Sequence, residues 1–144
     1  MVVVASAALC AVAGVAGCSS KPGTSPQPPG SLPVSTAQIT VNGKSVGPTN
    51  ALRCTQDGWL HTFETGDEKS SMRVVVDAKN GLTAPSVQLK NVGDFTGSVW
   101  ENNIGKAEAT VIGTTFRVNG TAVGATTDNP NQEATASFDI KVNC

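Results

Sequence analysis

The closing stretch Ala134-Thr135-Ala136-Ser137-Phe138-Asp139-Ile140-Lys141-Val142-Asn143-Cys144 decides the fold class. Apolar Ala134, Ala136, Phe138, Ile140 and Val142 alternate with Thr135, Ser137, Asp139, Lys141 and Asn143. A period of two places one set on each face of a strand, one face against a core and the other in water. Working back along the chain, the same period recurs. Phe116, Val118, Gly120, Ala122 and Gly124 alternate with Arg117, Asn119, Thr121 and Val123. Ala107, Ala109 and Val111 alternate with Glu108 and Thr110, and Gly113-Thr114 turns the chain between these two runs.

Earlier segments agree. Ile39 and Val41 alternate with Gln38, Thr40 and Asn42, and Asn42-Gly43 is a favoured hairpin turn. Leu52 and Cys54 alternate with Arg53 and Thr55. Met72 to Val76 is a short Val-rich run. Val87, Leu89 and Val92 form another, introduced by Pro85, and Phe95 to Trp100 follows Gly93-Asp94. No long apolar stripe has helical spacing, which leaves room for one short helix before Trp59 or near Asp67-Glu68. The expectation is an all-β or mainly β domain, an antiparallel, sandwich-like sheet covering residues 37–144.

The first residues read differently. Val2 to Ala16 is almost wholly apolar, too short to span a bilayer as a helix but suited to the core of a signal peptide. It ends in Val15-Ala16-Gly17-Cys18, which looks like a lipobox: small residues let a signal peptidase reach the bond before the cysteine. The expected product carries a diacylglyceryl thioether on Cys18, residues 1–17 having been removed. Met1-Val2-Val3-Val4 lacks the usual Lys or Arg, so the true start is expected upstream. The competing reading, an ordinary buried segment, conflicts with the Pro-rich run that follows. Ser19 to Thr36 holds five of the eight prolines and a single charge at Lys21. With little apolar area to offset ordering entropy, residues 18–36 read as a lipidated cysteine and a disordered Ser/Thr/Pro tether.

Four cysteines are present. Cys10 leaves with the signal peptide and Cys18 takes the lipid, so Cys54 and Cys144 remain. In an oxidising compartment a Cys54–Cys144 disulfide is the economical reading. A redox or metal role is its rival, but no CxxC spacing exists and the chain has one His. No metal or cofactor is called for. The net charge of −1 gives no basic excess for nucleic acid.

Together these pieces make the chain resemble the mycobacterial 19 kDa lipoprotein antigen family (LpqH-like), as a divergent paralogue. The matching features are Val15-Ala16-Gly17-Cys18, the tether, Ile39-Thr40-Val41-Asn42-Gly43-Lys44, Cys54, Val118-Asn119-Gly120-Thr121-Ala122 and Phe138-Asp139-Ile140-Lys141-Val142-Asn143-Cys144. Residues 59–67 match poorly. The resemblance implies a lipid-anchored protein on the extracytoplasmic face of the cell membrane. It also implies sensing by host Toll-like receptor 2 through the acylated terminus, and carriage of apolar ligands by some members.

Several motifs compete for a catalytic reading. Gly43-Lys44-Ser45-Val46-Gly47 fits G-x-S-x-G, with Asp57 and His61 following in hydrolase order. That chemistry needs a strand, a strained turn and a helix, whereas Asn42-Gly43 already signals a hairpin and Pro48 follows. The same residues resemble the end of a P-loop, but position 38 is Gln where Gly is required. Asp67-Glu68-Lys69 reads as a solvated turn, and the sequon Asn119-Gly120-Thr121 sits inside an expected strand. Trp59, Phe63, Trp100 and Phe116 are candidates to line an apolar pocket. A core aromatic set weighs more, because a chain with two Trp, four Phe and no Tyr needs them inside. The reading is therefore a non-catalytic surface antigen or interaction module. The alternative is a carrier of a lipid or other apolar ligand in a cleft of the domain.

Overall fold

The computed structural model describes residues 25–49 and 51–144. Cys10, the lipobox residues Val15, Ala16 and Gly17, Cys18 and the first part of the tether lie outside the described residues. Ten strands follow in order: β1 (Thr36–Val41), β2 (Lys44–Thr49), β3 (Arg53–Asp57), β4 (Leu60–Gly66), β5 (Ser71–Asp77), β6 (Thr83–Val92), β7 (Phe95–Trp100), β8 (Lys106–Ile112), β9 (Thr115–Thr126) and β10 (Asn129–Asn143). They form one antiparallel sheet in the order β2-β1-β10-β9-β7-β6-β5-β4-β3, with β8 also on β9. No helix occurs among the described residues.

The alternations seen in the sequence become inward and outward faces. Ala136, Phe138, Ile140 and Val142 of β10 are at most 4 % exposed, as are Ile39 and Val41 of β1 and Val74 and Val76 of β5. Register follows from turn chemistry. Val41 faces Lys44 across Asn42-Gly43, whose φ values of 49° and 76° are those a type I′ turn demands. Near its middle, β9 passes from β7 to β8, pairing with Phe95–Ser98 through one half and Lys106–Ile112 through the other. Gly120 permits the close approach of β8, since a Cβ there would collide with the Lys106 carbonyl.

The two arms of the sheet fold toward each other over a shared core. The Phe63 ring of β4 meets Phe116 of β9 with centroids 5.0 Å apart, and Thr49 of β2 hydrogen-bonds Thr65 of β4 at 3.4 Å. The Cys54–Cys144 disulfide joins outer strand β3 to the residue after β10, with Cα atoms 6.3 Å apart.

The room left for a helix is occupied by strands and a turn. Residues 53–66 form a hairpin around Gly58-Trp59. At Asp67 the side chain accepts the Lys69 and Ser70 N–H groups at 2.8 and 3.0 Å, closing the turn into β5. These hydrogen bonds, Ser70 foremost, hold the Asp67 carboxyl below its usual range. A lowered native pKa means this turn contributes stability above the unfolded-state pKa and loses it as pH falls through the native one. An NMR pH titration is expected to show Asp67 protonating at lower pH than in an Asp67-containing peptide of the same turn. An equal midpoint would remove the cap.

Candidate functional site

Chain order and pairing bring one end of the domain together from distant residues. β10 ends there at Asn143, β9 begins at Thr115, and β8 ends at Ile112. Thr115 and Asn143 are polar yet 0 % and 1 % exposed. Buried polar groups need partners, and the segment before β1 supplies them. Leu32 donates its N–H to Thr115 Oγ1 at 2.9 Å, and its carbonyl accepts from Asn143 Nδ2 at 2.6 Å. Ser31 Oγ donates to the Ile112 carbonyl at 3.3 Å, and Gln27 Nε2 to the Leu32 carbonyl at 3.1 Å. Residues 27–35 thus lie as a strap over the β8–β9 turn. Composition placed them in the tether up to residue 36, yet Thr36 already opens β1. The partners stand 83 and 111 residues away in the chain, where no count of local residues finds them.

The four aromatics proposed for one pocket are distributed over three places. Phe63 is core, 1 % exposed, against half-buried Phe116. Trp59 stands at the tip of the β3–β4 hairpin, 62 % exposed, because a two-residue turn projects its side chain beyond both strands. Trp100 ends β7, 44 % exposed, beside an open groove of about 550 Å³ with Arg73, Gln88, Lys90 and Ser98. A second open groove of about 510 Å³ lies along Leu52, Arg53, Glu64 and Arg73. Between the arms, where a carried ligand would sit, most of the core side chains are 0–4 % exposed, and a small cleft of about 170 Å³ opens among Ile39, Val46, Met72 and Val92.

The nucleophile-elbow residues do not form an elbow. Gly43 is in the β1–β2 turn, and Ser45 belongs to β2 opposite Thr40. His61 is on β4, its ring against Phe116 at 5.1 Å and stacked on Phe63 at 6.3 Å. Asp57 faces Leu60 at the β3–β4 turn. A strand therefore follows Ser45 where a helix is required. Asn119 lies within β9 between Glu108 and Asp139. On the outer face, Arg117 holds Asp139 bidentately, Nε to Oδ1 at 3.0 Å, which raises the guanidinium's already high pKa. Such a part-exposed pair contributes about 0.2–1 kcal/mol. Sequence reading missed this pair, although the Arg117↔Lys141 register leaves Asp139 one pleat away.

Comparison with known proteins bears on this domain. Residues 30–144 match the family model described as Mycobacterium 19 kDa lipoprotein antigen. A protein of Mycobacterium indicus pranii designated a lipoprotein is 39 % identical over 76 % of this chain and 79 % of its own length. Lipoprotein LppE of Mycobacterium tuberculosis H37Rv is 28 % identical over 78 % of this chain and 81 % of its own. Lipoprotein LpqH of the same strain is 29 % identical over 74 % of this chain and 68 % of its own.

Proposed function

The chain belongs to the mycobacterial 19 kDa lipoprotein antigen family, and from that premise we propose that it is a non-catalytic, lipid-anchored module of the cell envelope. The match over residues 30–144, set closely behind Val15-Ala16-Gly17-Cys18, carries the reading. In it, cleavage before Cys18 leaves an acylated N-terminal cysteine, and the acyl chains hold the β domain on the extracytoplasmic face of the membrane. Two or more chains supply what one alone does not, a stable anchor. The domain then presents outer sheet faces and hairpin tips to partners. Toll-like receptor 2, engaged through the acylated terminus, is the partner the family resemblance implies.

The small size of the cleft between the arms weighs against the carrier alternative. A pocket for an apolar ligand of ordinary size needs roughly 300 Å³ or more, and the cleft between the arms at Ile39, Val46, Met72 and Val92 offers about 170 Å³.

Intact mass spectrometry of the chain from its host tests the reading. The expected mass lacks residues 1–17, gains diacylglyceryl and acyl groups, and loses the acyl mass in a Cys18→Ser variant. Recovery of native chain with residues 1–17 in place and a free Cys18 thiol would overturn it. Native mass spectrometry of the same protein is expected to show no further lipid bound in the domain.

A further inference from the structure

The strap shortens the tether and fixes which end of the domain the anchor pulls on. From Cys18 to the first strap hydrogen bond at Gln27 there are nine residues. Nine residues reach about 30 Å fully extended, and about 15–18 Å as a flexible coil. The anchored end therefore stays within about 15–30 Å of the bilayer surface.

That end carries exposed apolar side chains. The strap covers the β8–β9 turn, with Pro28 and Ser31 against Gly113. One pair further up the ladder, Val111 faces Phe116 and is 44 % exposed. The Phe116 ring touches His61, and the next two residues back are Leu60, 42 % exposed, and Trp59, 62 % exposed. Val34, in the strap itself, is 65 % exposed. The Ala78 N–H donates to the Trp59 carbonyl at 2.9 Å, so the hairpin tip is held in place.

We propose that this end of the domain docks on the lipid surface, with Trp59 and Leu60 seated at head-group depth. The inference rests on the anchored reading above and adds an orientation to it. Trp suits the site, because its ring is apolar and its N–H can meet head-group oxygens. One Trp and one Leu bind a bilayer weakly on their own. The anchor converts their contact into an intramolecular event at high effective concentration. Asp57 and Asp77 face Leu60 and Lys79 lies nearby, a net charge of −1 that draws no anionic lipid, so apolar insertion is the driving contact.

The test uses the lipidated chain reconstituted into phosphatidylethanolamine–cardiolipin vesicles that carry a nitroxide on the lipid near the head group. In Trp100→Phe, Trp59 is the sole tryptophan; in Trp59→Phe, Trp100 is. Both sites are exposed, so neither substitution disturbs the core. On vesicles, Trp59 emission is expected to shift blue, to be quenched severalfold more by the nitroxide than Trp100, and to lose access to iodide. Raised salt leaves this unchanged. Hydrogen exchange on the unsubstituted chain gives a second readout. Amides 58–60 slow on vesicles, while those of Gly93-Asp94, at the opposite end beside Val41, do not. If the chain floats with the vesicles and Trp59 stays open to iodide, the docking is wrong and the anchor stands. If the chain does not float, anchor and docking fall together.

Discussion

Replacing Cys54 and Cys144 together by Ala is expected to lower the free energy of unfolding by about 4–5 kcal/mol. The bond spans 90 residues, so cutting it releases nearly the whole domain's unfolded chain from a closed loop. Against a total stability of about 5–15 kcal/mol for a domain of ordinary size, that is a large share. The native structure magnifies the loss. All five residues of β3 are exposed, and among the described strands β3 pairs with β4 alone. Without its tie to Cys144 it is an outer strand with no buried side chain to hold it. Urea unfolding of the double variant and the parent measures the difference. A shift below about 1 kcal/mol would show that the denatured chain gains little from being opened.

The second large effect is expected at Phe63. Phe63→Ala should cost about 3–5 kcal/mol, the transfer of the ring plus the cavity left behind. The side chain is 1 % exposed and joins the two arms of the sheet through Phe116, with His61 beside it. Phe116→Ala should cost less, because Phe116 is only half buried. Phe63 also faces Cys54 across the β3–β4 ladder. The disulfide and ring variants therefore share a neighbourhood, and their combined cost should depart from the sum of the two. Urea denaturation of the single and triple variants checks both statements; equal costs at Phe63 and Phe116 would contradict the packing described.

These predictions concern residues of unequal legibility. The strands around Val118 and Ile140 are plain in the sequence because apolar residues or glycine hold the inward positions and polar residues hold most of the others. β4 was hidden. Its residues on the Phe63 side are His61, Phe63 and Thr65, so two of three are polar, and the period of two vanishes from a hydropathy reading. β2 was hidden as well: Val46 is its one apolar aliphatic residue, among Lys44, Ser45, Gly47, Pro48 and Thr49. The disulfide was legible by elimination, since the other two cysteines had assignments. Trp59 misled because ring size argued for burial, while its place after Gly58 in a two-residue turn argued for exposure, and turn geometry prevailed. The strap was illegible for a different reason. Leu32 is ordered by Thr115 and Asn143, and no local pattern reports a partner a hundred residues away.

β10 comes last of the ten strands in chain order, yet it lies in the interior of the sheet, with β1 on one side and β9 on the other. Until Asn129–Asn143 emerges, the first strand has no mate on that side and the core lacks Phe138, Ile140 and Val142. A chain made N-terminus first cannot complete this sheet as it appears; β1 has β2 on one side and waits for β10 on the other. Such long-range closure is slow relative to local pairing. The interval before β10 completes the ladder is thus when the new chain is open to proteolysis and to pairing with a neighbour.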